Sequence, residues 1–271
     1  MKLSIEHETH YRFGRPAQHS IQYLRLTPRA DESQAVVNWQ ILTPGKLKPW
    51  QDGFGNPAHV SVQDGAHDEI AVLVRGEVQT YDTFGILPTD DGLPPLMFLR
   101  DTRYTRIEGG ITDFAAPYIE RSGDEGTIAA LHALMWGLHQ TVDYNPGYTD
   151  VESTAAEALE HGHGVCQDHA HLFIACCRVL GVPARYVSGY LYDENDERGV
   201  GLASHAWAEA YLDDLGWVSF DPTNGISASE AYVRLAVAFD YAGACPIRGL
   251  RKGGGIEEMS VRVNVSQGHG Q

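Results

Sequence analysis

The stretch "GHGVCQDHAHLFIACCRVLGVPAR", residues 162–185, decides the class of fold expected for this chain. Its apolar residues recur at helical spacing and predict a helix that begins near Cys166 and ends at Gly181, with Pro183 beyond it. The segments that follow, up to residue 225, change to a period of two, which is typical of strands. A helix followed by several strands, without βαβ alternation, predicts an α+β fold with the cysteine helix packed on an antiparallel sheet.

The front of the chain predicts a separate β domain. Apolar side chains at odd positions between residues 3 and 13 form one face of a strand, which the polar His7 and Thr9 interrupt. Further apolar runs with turn residues between them predict a β-sandwich-like domain over residues 1–84. Residues 85–120, rich in Pro and Gly, are expected to be a connector to a catalytic domain over residues 121–271.

Two helices are predicted between that connector and the cysteine. Residues 126–144 place apolar side chains on one helical face. Thr154 and Glu157 have the spacing of a capping box, and Gly162 would end the short helix that they begin. At the other end of the chain, the alternation of "MSVRVNVSQ" predicts a closing strand.

Composition excludes several classes of partner and place. The chain has 271 residues and a formal net charge of −16, which repels phosphate backbones and anionic membranes, so nucleic acid and membrane are not expected as partners. No apolar run reaches the ~18 residues of a membrane span, and the first residues lack the apolar core of a secretory signal. Four cysteines without paired spacing read as free thiols, which predicts a cytoplasmic location.

Three side chains in the second half could carry chemistry. Cys166 would lie at a helix N-terminus, where the unsatisfied N–H groups favour an anionic thiolate and can stabilise an oxyanion. His205 begins the strand "SHAWAEAYL", and Asp221 ends "WVSFDPTN" 16 positions later. If these strands are antiparallel neighbours, Asp221 can hold one imidazole nitrogen while the other faces the thiol. These are the parts of a nucleophilic acyl-transfer site.

Other interpretations of these residues remain open at this point. A single cysteine at a helix start is more often structural than catalytic. The histidines around Cys166 could bind zinc, although no Cys-x-x-Cys or His-Glu-x-x-His motif is present, and His169 and His171 project from a helix about 200° apart. A third alternative is a binding module that keeps the fold and does no chemistry.

Three segments strongly resemble the transglutaminase-like superfamily, whose fold is related to that of papain-like cysteine proteases. They are "GHGVCQDHAHLFIACCRVLGVPARYVSGYL", "SHAWAEAYLDD" and "GWVSFDPTNG", in that order. The resemblance implies that Cys166 is the nucleophile, His205 the base and Asp221 the residue that orients the imidazole. The front segments "YLRLTPRADESQAVVNWQILTPG" and "WQDGFGNPAHVSV" resemble the β-rich N-terminal region of bacterial members.

The same resemblance implies a cysteine-dependent amide acyl transfer through a thioester, on a peptide or protein amide, with no cofactor and no metal. Hydrolysis, as in a cysteine protease, is favoured; the alternatives are transfer to an amine, as in a protein-glutamine gamma-glutamyltransferase, and a non-catalytic binding role. Tyr144 is the candidate side chain for stabilising the oxyanion, by its position upstream of the cysteine. One departure is the pair Ala238 and Phe239, where bacterial relatives are expected to have Gly-Arg. The pattern makes no prediction of the oligomeric state.

Overall fold

The computed structural model describes residues 1–87, 92–193 and 204–268. A small part of the expected connector, residues 88–91, therefore lies outside the described residues. The α-helices are α1 (Ile111–Glu125), α2 (Thr127–Thr141), α3 (Ala155–His161), α4 (Cys166–Val179) and α5 (Tyr241–Ala244), with a 3₁₀ turn at Pro95–Leu99. The strands are β1 (Lys2–Leu24), β2 (Gln34–Leu42), β3 (Lys46–Gln51), β4 (Pro57–Thr80), β5 (Ile86–Leu87), β6 (Asp143–Tyr144), β7 (His163–Gly164), β8 (Ala184–Leu191), β9 (Ser204–Leu212), β10 (Gly216–Phe220), β11 (Tyr232–Ala238), β12 (Ile247–Gly253) and β13 (Glu257–Gln267).

The first sheet is built on two long antiparallel strands, β1 and β4. One half of this pair is extended by β13 and β2, and the other half by β12 and β3. The register of β1 shifts between Arg12 and Ala17, which separates the two halves. The odd positions of β1 from Leu3 to Phe13 are all buried, so the alternating face predicted from the sequence is confirmed.

The second sheet holds the segments predicted as strands after the cysteine helix. Its order is β11-β8-β9-β10-β5, and each neighbouring pair is antiparallel. Helix α4 packs on β8 and β9, and its buried side chains join the same core as Leu131, Leu134 and Phe220. The α+β fold with a cysteine-bearing helix on an antiparallel sheet is therefore confirmed.

The two sheets are packed against each other. Tyr190, Val233 and Leu235 of the second sheet are buried in the same cluster as the apolar face of β1 and β4. The second sheet is thus covered by helices on one face and by the first sheet on the other. A polar network also joins the two parts, because Arg234 donates to Asp31 and to Glu209.

The structure adds two features to the expected organisation. Helix α1 begins inside the stretch expected to be a connector, and the sequence analysis did not predict it. Pro117 in its middle explains the omission, because proline removes one backbone donor and is rare in helix interiors. The predicted closing strand is confirmed as β13, but β12 and β13 pair with β1 rather than with the second sheet. Among the described residues, no helix has the length and apolar character needed to cross a membrane.

Candidate active site

Cys166 is the first residue of α4, and its side chain is partly exposed. The loop before it is held by a short parallel bridge between residues 143–144 and residues 163–164. A side chain at Gly164 would not fit, because its Cβ would lie 2.8 Å from the Cβ of Asp168. The first N–H groups of a helix have no acceptor within that helix, so this close-packed turn presents backbone donors next to the thiol.

Asp168 fixes the start of that helix. Its Oδ2 atom accepts the backbone N–H of Val165 at 2.8 Å and the hydroxyl of Thr149 at 2.6 Å. Burial raises the pKa of Asp168 above its ordinary value in spite of these two hydrogen bonds. The structure thus gives Asp168 the capping role expected at a helix N-terminus, two residues away from the thiol.

His205 and Asp221 are brought together by the hairpin of β9 and β10. The two strands are antiparallel neighbours, as the sequence analysis required, and Phe220 lies opposite Ala208. Asp221 follows β10 directly, and its Oδ2 atom lies 2.7 Å from Nε2 of His205. The side chain of His205 is 7% exposed and that of Asp221 is fully buried, so water hardly competes for this contact.

Asp221 is held by more donors than the sequence indicated. Its Oδ2 also accepts the hydroxyl of Tyr232 and the amide of Asn224, each at 2.7 Å, and its Oδ1 accepts the backbone N–H of Thr223 at 3.0 Å. The turn "DPTN" contains a local signal for Asn224, because Asn and Asp side chains commonly bond to such turns. No such local signal exists for Tyr232, because this residue belongs to β11, and β8 and β9 lie between β11 and β10 in the second sheet.

The two residues shift each other's charge state. Burial, the largest influence on His205, favours the neutral ring. The charge and hydrogen bond of Asp221, together with a smaller contribution from Cys166, outweigh it and place the pKa of His205 well above 6.5. Burial also acts against the carboxylate, but His205 and the other donors hold the pKa of Asp221 below its usual 3.8. At neutral pH the pair is therefore an imidazolium and a carboxylate, and Nδ1 is the nitrogen left for the thiol.

Tyr144 lies beside the cysteine turn. Its backbone is opposite Gly164 in the parallel bridge, and the residue is 41% exposed. The ring packs edge to face on His169, with centroids 6.4 Å apart. The structure therefore brings Tyr144 to the same side of the molecule as Cys166.

A cleft of about 370 Å³ contains Cys166, His205 and Tyr144. Its walls come from both parts of the fold: from α4 and the second sheet on one side, and from β1, β12 and β13 on the other. The first-sheet residues of the wall are His7, Thr9, Tyr11, Ile247, Met259 and Val261. His7 and Thr9, the polar residues that interrupt the apolar face of the first strand, thus line the cleft. The sequence analysis noted these two residues but assigned them to no site.

The crowded histidines around Cys166 point apart. His169 shares a hydrogen bond with the hydroxyl of Thr223 at 3.0 Å, whereas Nε2 of His171 accepts the backbone N–H of Tyr241 at 3.0 Å. Burial lowers the pKa of His169 to about 4 and that of His171 to about 3, so both rings are neutral. Within residues 1–87, 92–193 and 204–268, no group of three His, Cys, Asp or Glu side chains could hold a metal ion.

The departure noted at Phe239 lies outside the cleft. Its ring packs on Phe54 and Phe98, with centroid distances of 5.1 and 5.4 Å, and Arg100 lies 5.8 Å above it. The aromatic side chain is therefore part of the packing, and it is not among the described residues that line the cleft.

Two family models match the chain. Residues 113–222 match the model of the transglutaminase-like superfamily, and residues 3–79 match the model of the bacterial transglutaminase-like N-terminal region. The first match contains Cys166, His205 and Asp221, and the second contains the first-sheet residues His7 and Tyr11 of the cleft.

Similar proteins are found over the full length and over the core alone. An uncharacterized protein of Mycobacterium leprae is 28% identical over 98% of this chain and 99% of its own length. A protein-glutamine gamma-glutamyltransferase of Pseudomonas aeruginosa is 33% identical over 44% of this chain and 20% of its own length. The solved structure of a "Putative Cysteine Protease" from Cytophaga hutchinsonii has a TM-score of 0.78 at 21% identity, over 100% of this chain and 92% of that one. This last likeness establishes a common fold.

Proposed function

Because the chain belongs to the transglutaminase-like superfamily, with a bacterial transglutaminase-like N-terminal region, we propose that it is a cysteine-dependent enzyme that transfers the acyl group of an amide through a thioester. One observation carries the proposal. Cys166, at the start of α4, opens into the same cleft as His205, whose other ring nitrogen is held 2.7 Å from the buried Asp221. A thiol, an imidazole and an orienting carboxylate are the groups that this chemistry needs.

The reaction begins with the thiolate of Cys166 and the imidazolium of His205. The sulfur attacks the amide carbonyl, and the C–N bond breaks as His205 donates its proton to the leaving amine. The product of this half is a thioester on Cys166 and a free amine. Asp221 keeps Nε2 of His205 protonated and leaves Nδ1 directed at the sulfur.

The developing oxyanion requires donors next to the thiol. The backbone N–H at the start of α4 is one, because it points out of the first turn of the helix. We assign the hydroxyl of Tyr144 as the second donor, since its ring lies at the cleft beside the cysteine turn. Loss of this hydroxyl in Tyr144→Phe should lower kcat by about 10²-fold with little change in KM.

The second half of the reaction decides the class of enzyme. Attack of water on the thioester releases a carboxylic acid, and we propose this hydrolysis of peptide or isopeptide amides as the main activity. The similarity in fold, over the full chain, to the Cytophaga protein described as a "Putative Cysteine Protease" supports hydrolysis. Transfer to an amine is the second candidate, supported by the 33% identity to the Pseudomonas gamma-glutamyltransferase over part of the chain.

The test of the nucleophile uses alkylation and turnover together. Iodoacetamide should label Cys166 selectively below about pH 8, and Cys166→Ala should remove both labelling and hydrolysis of amide substrates while the thermal unfolding curve is unchanged. Cys245→Ala is the matched control, because that thiol is buried and its pKa is raised by burial. Turnover that survives Cys166→Ala would refute the assignment of Cys166 as the nucleophile. Slow, unselective labelling of Cys166 and no amide turnover in the wild-type protein would refute the enzyme proposal and leave a binding module.

Addition of an amine separates the two acyl acceptors. With a glutamine-containing peptide and a primary amine, a hydrolase adds water, either by cleaving a peptide bond or by converting glutamine to glutamate with loss of ammonia, and leaves the amine free. A transferase also releases the ammonia of glutamine, but it puts the amine in its place on the peptide. Mass spectrometry of the peptide distinguishes the two products. Amine incorporation as the main product would overturn the preference for hydrolysis.

We also propose a cytoplasmic location and a peptide or protein amide as the partner. The four cysteines are free thiols, which suits a reducing compartment. The net charge of −16 opposes binding to nucleic acid and to anionic membranes. Fractionation of cells that express the protein checks the location, and recovery in an extracytoplasmic fraction would contradict it.

A further inference from the structure

One face of β13 is buried in the core at Val263 and lines the cleft further along the strand. Residues of β1 and β13 that lie directly opposite share one face of the sheet, and these pairs are His7 with Val263, Thr9 with Val261, and Tyr11 with Met259. Val263 is 3% exposed, as expected for a face packed on the second sheet. Further along the same face, Val261 is 43% exposed and Met259 is 61% exposed.

The exposure of these two apolar side chains has a structural cause. They continue the alternation that buries Val263, but the volume opposite them is the cleft that also contains Cys166 and His205. The next residue, Ser260, faces the other way, so the apolar character belongs to the cleft side. Met259 and Val261 therefore face the space where a substrate must lie when its carbonyl meets the thiol.

Apart from Cys166 and His205, the described residues that line the cleft carry no fixed charge. None of its described lining residues is Asp, Glu, Lys or Arg, in a chain whose net charge is −16. His7 is neutral because burial lowers its pKa to about 4, and both of its ring nitrogens are engaged, by the hydroxyls of Tyr190 and Thr9 at 2.8 and 2.9 Å. Burying a charged side chain against this wall would be costly.

We propose that Tyr11, Met259 and Val261 form a specificity subsite that selects an uncharged, apolar side chain in the acyl part of the substrate. The inference rests on the proposed function. The acyl part is the one bound by the subsite because it stays on Cys166 through both halves of the reaction, whereas the amine leaves after the first. The first sheet thus takes part in substrate selection, although it contributes no group to the bond-breaking step.

The test compares two electrophiles that differ in a single side chain. N-acetyl-leucine chloromethyl ketone and N-acetyl-aspartate chloromethyl ketone both alkylate a reactive thiol, and iodoacetamide serves as a small reference that reaches Cys166 without the subsite. Intact-protein mass spectrometry gives the labelling rate for each. The leucine compound should label the wild-type protein at least about 10-fold faster than the aspartate compound.

Two variants of one strand separate the subsite from a general charge effect. Met259→Glu should slow the leucine compound by about 10-fold or more and leave the iodoacetamide rate unchanged. Ser260→Glu adds the same charge on the opposite face and should change neither rate. Equal rates of the leucine and aspartate compounds on the wild type, or the same response in both variants, would overturn the subsite.

Failure of the proposed function gives a different result. In that case iodoacetamide itself would react with Cys166 no faster than with an ordinary cysteine peptide. Fast reaction with iodoacetamide but no discrimination between the two chloromethyl ketones would refute the subsite alone.

Discussion

Replacing Asp221 with asparagine should remove the activation that we propose for the thiol of Cys166. The carboxylate accepts hydrogen bonds on both oxygens: Oδ2 from His205, Tyr232 and Asn224, and Oδ1 from the backbone of Thr223. An asparagine has one acceptor and one donor group. With its oxygen kept toward the backbone N–H, its amide would face the donors, so His205 would have to lose the proton on Nε2 and accept instead.

The size of the effect follows from the charge state of His205. The two strongest contributions that raise its pKa both come from Asp221, whereas burial, the largest influence, favours the neutral ring. Loss of the carboxylate should therefore lower the pKa of His205 and remove the imidazolium that stands beside Cys166. For an ordinary thiol with a pKa of about 8.5, roughly one in 300 is ionised at about pH 6. The alkylation rate of Asp221→Asn at that pH should therefore fall by about 100-fold or more.

The assay is the rate of iodoacetamide labelling of Cys166 from about pH 5 to pH 9, followed by intact-protein mass spectrometry. The difference between wild type and variant should be largest in acid and should shrink toward the alkaline end, where any thiol ionises. Asp214→Asn is the matched control, because it removes the same charge at the exposed turn of the same β9–β10 hairpin. An Asp221→Asn protein that labels like wild type in acid would refute the assignment of Asp221.

Amide turnover should be lost less completely in Asp221→Asn than in His205→Ala, since Asp221 only orients His205.

Three further outcomes are expected. Glu209 is fully buried between two arginines, so Glu209→Gln should cost about 3–5 kcal/mol of unfolding free energy in urea titrations, whereas the exposed Glu6→Gln should cost less than about 1 kcal/mol; equal losses would contradict the buried pairing. The free energy of unfolding should fall as the pH drops below 6.5, because several buried histidine rings with lowered pKa stay neutral in the folded protein and gain a proton on unfolding. Each ring should contribute a loss of up to about 1.4 kcal/mol per pH unit. An unfolding free energy that is constant from about pH 6.5 to pH 4.5 would contradict this expectation. These rings are His7, His169 and His171. Gly164→Ala should slow the labelling of Cys166 and destabilise the fold by about 1–3 kcal/mol, because the new Cβ would collide with a buried side chain; wild-type labelling in this variant would show that the turn can yield.

Local patterns accounted for much of the fold. The start of α4 at Cys166 and the capping box of Thr154 and Glu157 were both predicted and are both present. The buried face of β1 was equally readable from its alternation. Each of these features depends on residues a few positions apart, where spacing alone decides which side chains share a face. Helix α1 was not predicted, since Pro117 hid its pattern.

The candidate site also combines groups that the sequence indicated with a contact that it did not. The motifs around Cys166, His205 and Asp221 indicated a thiol, an imidazole and a carboxylate, and the structure places the last two in contact. No pattern in the sequence pointed to Tyr232 as a further donor to Asp221, because that contact depends on the position of β11 at the edge of the second sheet.

Residue spacing and residue type were enough to predict the α+β class and the cysteine-bearing helix, and they singled out the thiol, imidazole and carboxylate of the proposed site, because all of these depend on short-range patterns. Only the tertiary structure decided that β13 returns to pair with β1 and that Met259 and Val261 face the same cleft as Cys166. The physical reason is that strand pairing joins residues more than 240 positions apart through backbone hydrogen bonds, which are the same for every residue type and leave no mark in the sequence.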